Sequence, residues 1–130
     1  ILKWLQATCG GYDLNFLCER PPDEVRYLFL GLKGIGVKTI SVTLMATCGH
    51  DVFPVDTLVH RICRRLQLVP DNASAEKTHW LMQPLVPKGK AYSLHINMLR
   101  LGRTICNARK PDCARCPLQK RCPSAATDSK

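Results

Sequence analysis

Apolar residues recur along this chain at the three-to-four spacing of helices, and no stretch alternates as a half-buried strand would. Ile1, Leu2 and Leu5 open a first short helix that stops at the turn residues Gly10, Gly11 and Asp13, and Leu14 to Arg20 forms a second segment ahead of Pro21 and Pro22. Val25, Leu28, Phe29 and Leu32 then sit at i, i+3, i+4 and i+7, with Pro22, Asp23 and Glu24 suited to the first turn. Gly34 and Gly36 flank Ile35, so the backbone is free to turn tightly while the apolar tip pins the turn to the core. Val37, Ile40, Leu44 and Cys48 resume the helical stripe. The stretch 22–47 therefore reads as helix, hairpin, helix.

Gly49 is a good stop for that second helix, and Pro54, Val55 and Asp56 lead into Thr57, Leu58, Val59, Ile62, Cys63 and Leu66. This stripe predicts a helix from Thr57 to about Leu68 whose outer face carries His60, Arg61, Arg64 and Arg65. A solvated face is the usual fate of such charges, and reaching toward a polyanion is the functional one. After a break at Pro70, Asp71 and Asn72, a helix is predicted over Ala75 to Leu85 with Trp80 and Leu81 in the core. Pro84, Pro87 and Gly89 make the next loop. Leu94, Met98, Leu101 and Ile105 recur on a last helix that starts at Lys90 and delivers the chain to Cys106. His95 on that helix reads as a hydrogen-bonded structural residue, not a ligand. Pro123 to Lys130 are small and polar and read as a frayed tail.

Two positions in this framework carry candidate chemistry. The start of the second hairpin helix leaves its first amides unpaired, so Gly34, Ile35, Gly36 and Val37 offer a site for a phosphate oxygen. Lys38 lies in the first turn, where the positive end of the helix dipole disfavours an ammonium and so favours the neutral, nucleophilic amine. Asp56 is an N-cap residue with its carboxylate at a chain bend. Each feature has a plainer reading when taken singly: hairpins bind DNA without catalysis, caps need no further role, and most lysines are simply solvated.

Composition narrows the field. The 130 residues, 45% hydrophobic, suffice for one domain or two small lobes with a real core. Nineteen Lys and Arg against 10 Asp and Glu give a formal charge of +9, which suits a polyanionic partner such as nucleic acid. No run approaches the roughly 20 apolar residues that span a bilayer, and the start lacks the order of a secretion signal, so no membrane association and an intracellular location are expected. Of eight cysteines, Cys9, Cys18, Cys48 and Cys63 are scattered and read as core thiols, while Cys106, Cys113, Cys116 and Cys122 follow C-x6-C-x2-C-x5-C within seventeen residues. Four such thiolates can enclose one metal centre, and spacing alone leaves zinc and an iron–sulfur cube both open. Disulfides fit a reduced compartment poorly.

The segments LKGIGVKTI and FPVDTLVHRICRRL, followed by that cysteine pattern, resemble the endonuclease III group of DNA glycosylases. The resemblance implies an all-α, helix-hairpin-helix DNA glycosylase fold: a partial six-helix barrel lobe over 1–50, a helical iron–sulfur lobe over 51–123, and a tail over 124–130. It implies a [4Fe–4S] cluster on Cys106, Cys113, Cys116 and Cys122, with Arg109 and Lys110 presented to DNA. It further implies that Lys38 attacks the sugar C1′ of a damaged nucleotide with help from Asp56. The expected activity is excision of oxidised pyrimidines with AP lyase cleavage, by a monomer acting on duplex DNA that holds a damaged base or abasic site. Lys33 departs from the proline frequent in the family, a change to hairpin rigidity more than chemistry. The FPVDT segment is also similar to that of plant 5-methylcytosine glycosylases, whereas the mismatch branch lacks the lysine. A non-catalytic DNA-binding module is the alternative from another class. Because the chain opens with Ile1 inside a helix and the family has further helices ahead of this point, it reads as a fragment.

Overall fold

The computed structural model describes residues 1–126 and is all-helical, with no strand among the described residues. Seven α-helices follow in order: α1 Leu2–Cys9, α2 Phe16–Glu19, α3 Pro22–Phe29, α4 Val37–Cys48, α5 Thr57–Arg65, α6 Ala75–Met82 and α7 Ala91–Thr104. Short 3-10 turns occupy Gln83–Leu85, Cys113–Arg115, Gln119–Arg121 and Pro123–Ala126.

Two clusters of buried side chains organise these helices. Leu17, Val25, Phe29, Ile40 and Leu44 pack α2, α3 and α4 together, with Trp4 of α1 resting on Phe29 at a ring separation of 5.1 Å. Phe53, Val59, Ile62, Val69, Met82 and Met98 belong to the second cluster, where α5, α6 and α7 meet. The crossing of α5 and α7 is close because of Gly102: a Cβ there would lie 3.2 Å from that of Leu58 and 3.3 Å from Cδ1 of Ile62.

The segment between α4 and α5 joins the two clusters and is almost wholly buried from Val52 to Val55. An irregular buried segment needs partners for its peptide groups. Gln83 supplies them for Phe53, its Oε1 accepting from the amide at 3.0 Å and its Nε2 donating to the carbonyl at 2.6 Å. Asp51 accepts from the amides of Gly89 and Ala91 at 2.6 and 3.2 Å, capping the start of α7.

Several sequence expectations need correction. Cys18 and Cys48 are joined by a disulfide with a Cα separation of 4.9 Å, because packing of α2 on α4 brings them together. Cys63 matches its expected role as a core thiol, and burial pushes its thiol up to about 11, whereas Cys9, at the end of α1, is exposed and not a core thiol. In α6 the inward face is Thr78, His79 and Met82, while Trp80 and Leu81 are exposed. The helix starting at Thr57 ends at Arg65, three residues early, as Gln67 takes a positive φ of 54°. Residues 123–126 form a turn with Ala125 buried and the Ser124 hydroxyl bonded to the Arg65 carbonyl at 2.9 Å; the remainder of the expected tail, 127–130, lies outside the described residues.

Replacing Gln83 with Leu strands a buried amide and carbonyl at Phe53. The expected loss is about 2–4 kcal/mol, since each unsatisfied group costs about 1–3 kcal/mol. Denaturant unfolding checks it, with exposed Leu68→Ala as a control expected to move stability by less than about 0.5 kcal/mol.

Candidate active site and cysteine loop

Lys38 is the second residue of α4 and is exposed. The turn that presents it depends on Gly34, whose φ of +86° is in the left-handed region that favours glycine. Ile35 packs on the α2–α4 cluster, and its amide donates to the Leu32 carbonyl at 3.1 Å. Gly36 is the N-cap, and no side chain caps the helix, so the amides of its first turn have no helical or side-chain acceptor.

Asp56 is the N-cap of α5, its Oδ1 accepting from the Val59 amide at 2.8 Å. Among the described residues its Oδ2 has no hydrogen-bond partner. Ile35, Gly36, Val37, Lys38 and Asp56 line one open cleft of about 650 Å³ between the hairpin, α3 and α6. The structure thus places Lys38, Asp56 and the hairpin residues 35–37 on one cleft, while Gly34 does not line it.

Two histidines lie behind this cleft. His95 is buried, and its Nδ1 donates to the Pro54 carbonyl at 3.0 Å, two residues before Asp56. Burial holds its pKa below 6.5, the Pro54 carbonyl and Asp56 charge oppose that shift, and the Lys38 charge reinforces it. The expectation of a hydrogen-bonded structural histidine is met, but the carbonyl it holds belongs to the segment that places Asp56. His79 is 2% exposed, and burial, aided by the Arg26 charge, lowers its pKa from 6.5 to about 4 against an opposing contribution from the Phe53 backbone.

Cys106, Cys113, Cys116 and Cys122 line a second, small cavity together with Arg65 and Ala125. Arg65 donates through Nη1 to the Cys106 sulfur at 3.1 Å and to the Asn107 carbonyl at 2.7 Å, and through Nη2 to the Ala108 carbonyl at 3.1 Å. Its own carbonyl receives the Cys122 thiol at 3.5 Å. Arg61 reaches the carbonyls of Cys106, at 2.8 Å, and Gly102, at 3.0 Å. These two arginines, read from the sequence as an outer face, therefore point inward onto the cysteine loop; helical spacing gave no sign of which neighbour they would meet. Arg109 and Lys110 are exposed on that loop and line neither cavity.

A mononuclear zinc site needs its sulfurs within about 2.3 Å of one point. Among the described residues no three histidine, cysteine, aspartate or glutamate side chains converge in that way. Four cysteines around a shared space, with a guanidinium against one sulfur, form a donor set of the kind that holds one metal centre.

A hairpin-borne lysine and an N-cap aspartate thus line one cleft of an all-helical protein. No protein-family model matches the chain. It is 36% identical to endonuclease III of Rickettsia felis over 120 residues, 92% of this chain and 55% of that one. It is 30% identical to the DNA glycosylase/AP lyase ROS1 of Arabidopsis thaliana over 130 residues, 87% of this chain and 9% of that one. A trapped endonuclease III–DNA covalent intermediate superposes with a TM-score of 0.80 at 26% identity, covering 98% of this chain and 56% of that one. The chain has the endonuclease III-like helix-hairpin-helix DNA glycosylase fold, and its relatives include endonuclease III and ROS1 glycosylases. It spans about half the length of the endonuclease III it matches and under a tenth of ROS1.

The low pKa of His79 makes stability depend on pH. Its folded value near 4 lies below the unfolded 6.5, so between them the unfolded chain binds more protons. Stability is full above about pH 6.5 and falls as pH drops toward 4. The melting temperature at pH 4.5 is expected to lie about 5 °C or more below that at pH 7, and the pH dependence to flatten in His79→Gln.

Proposed function

We propose that this chain carries the catalytic segment of a base-excision DNA glycosylase with AP lyase activity, with oxidised pyrimidines as its bases. The observation that carries this reading is the placement of Lys38 and Asp56 on one cleft, beside the uncapped start of α4. The relatives named glycosylase and AP lyase support it.

In this reading the hairpin amides of 34–37 hold a phosphate, Arg109 and Lys110 meet the backbone elsewhere, and the damaged nucleotide leaves the stack at a cost of about a few kcal/mol. The Lys38 amine attacks C1′: a C–N bond forms to the lysine, the glycosidic bond breaks, and the base departs with a proton. Opening of the sugar gives a Schiff base. Loss of a C2′ proton then expels the 3′ phosphate by β-elimination. Asp56, with Oδ1 fixed by the Val59 amide and Oδ2 unpartnered, accepts the proton of Lys38 or steadies the cationic sugar.

Cys106, Cys113, Cys116 and Cys122 hold a [4Fe–4S] cluster in this reading, whose binding energy supplies order to a loop with little core of its own. Arg65 and Arg61 set the position of Cys106 and of the residues after it. A second reading, with 5-methylcytosine as the base, rests on the similarity of FPVDT to the plant glycosylases and on the ROS1 match.

Borohydride trapping on a duplex with one abasic site tests the chemistry. The parent is expected to form a covalent adduct, and Lys38→Gln to lose it by about a hundredfold or more while still binding the duplex. Equal behaviour of the two proteins would overturn the catalytic role and leave a DNA-binding module. Purified protein is expected to be brown with about four irons per chain, and Cys116→Ala to lose both colour and melting temperature. Colourless protein with one zinc would disprove the cluster.

A further inference from the structure

One wall of the Lys38 cleft has no part in the chemistry proposed above. It is formed by Trp80 from α6 and Arg26 from α3. Trp80 is 46% exposed although it is the largest side chain of its helix, while smaller neighbours Thr78 and Met82 are buried. The indole is nevertheless held in place from two sides. The Arg26 guanidinium carbon lies 5.1 Å from its ring centroid, in cation–π range, and the buried His79 ring meets it edge-on at 5.0 Å. Arg26 is in turn paired with Asp23, and its side chain is only 14% exposed. A fixed aromatic plane, part of it left open toward a cleft that also holds Lys38 and Asp56, is a stacking surface and not a packing residue.

We infer that Trp80, braced by Arg26, is the platform on which the extruded nucleobase stacks while its sugar sits at Lys38. The inference rests on the proposed glycosylase chemistry and adds a base-holding residue to it. Any base has a π-face, so the indole accepts purines and pyrimidines alike. Arg26 has five N–H donors and Asp23 does not use all of them, so its free edge favours a base that carries a carbonyl beside the stacked ring. The wall therefore sets residence of the base in the cleft, and Lys38 sets the bond that breaks.

The test is photo-crosslinking of Lys38→Gln to a duplex with a single 5-iodouracil opposite guanine, a mispair that lowers the cost of extrusion. The crosslink is expected to map to Trp80 by mass spectrometry. Trp80→Ala is expected to lose crosslinking by about tenfold or more, the size of one base–aromatic stack, with Trp80→Phe restoring most of it. In a Lys38 background the same Trp80→Ala change is expected to lower crosslinking far more than borohydride trapping at an abasic site, where there is no base to stack. A crosslink that maps elsewhere, no crosslink at all, or equal loss in both assays would overturn the platform. A parent that crosslinks through Trp80 but never traps on the abasic duplex would instead overturn the Lys38 chemistry and leave the platform standing.

Discussion

The six residues from Asp51 to Asp56 are the constraint on which the rest of this structure depends. They are not helical, yet four of them are buried, and the polar groups of Asp51, Phe53 and Pro54 are answered from other elements. Gln83 closes on both peptide groups of Phe53, His95 holds the Pro54 carbonyl, and the carboxylates at the two ends cap α7 and α5. Such bonds contribute about 1 kcal/mol each in net terms, but leaving any of them unmade in a buried segment costs more. The segment therefore has one conformation, and Asp56 is delivered to the cleft by α6 and α7 as much as by its own helix.

The cysteine loop is built by the same logic with cations in place of amides. The last turn of α7 leaves carbonyls without helical donors. Arg61 takes those of Gly102 and Cys106, and Gly102 is what lets α5 approach closely enough for it to do so. One helical turn further on, Arg65 takes Asn107 and Ala108. Removing either arginine would leave backbone groups unpaired in a part-buried seam, so α5 acts as a template for the loop before any metal centre is considered.

Much of this was readable from spacing. The stripes at Val25–Phe29, Val37–Cys48 and Thr57–Cys63 are helices, the first ending three residues short of Leu32 where Leu30 leaves the helical conformation, the glycine pair is a hairpin, and Asp56 is a cap, because each depends on local chemistry. What was hidden depends on partners distant in sequence. Helical period places Arg61 and Arg65 on a face without saying that the face meets 102–108. Trp80 and Leu81 were ranked as core on size and hydrophobicity, whereas α6 buries Thr78 and His79. Thr78 bonds His60 at 2.9 Å and Gln83 lies within 3.3 Å of Nδ1 of His79, whereas the buried His79 Nε2 has no hydrogen-bond partner among the described residues. The Cys18–Cys48 pairing needs α2 and α4 to be packed before it can be seen.

The formal charge of +9 also changes meaning once the arginines are placed. Two of the three arginines on α5 are spent on carbonyls of 102–108 and lend little to a polyanion. What they do is orient others. Arg65 fixes the carbonyls of Asn107 and Ala108, the two residues immediately before Arg109 and Lys110, and Lys110 itself takes a positive φ of 51°. A lysine in that conformation carries a strain of order 1–3 kcal/mol that persists only where the surroundings impose it. The exposed pair proposed to meet the DNA backbone is therefore aimed by the partly buried guanidinium of Arg65 on α5, and the same guanidinium touches a cysteine of the proposed cluster. The cysteine loop and α5 are thus one mechanical unit, and Asp56 is the N-cap at the other end of α5. Any distortion of the loop that shifts α5 along its axis would be felt at the Asp56 carboxylate, which lines the same cleft as Lys38.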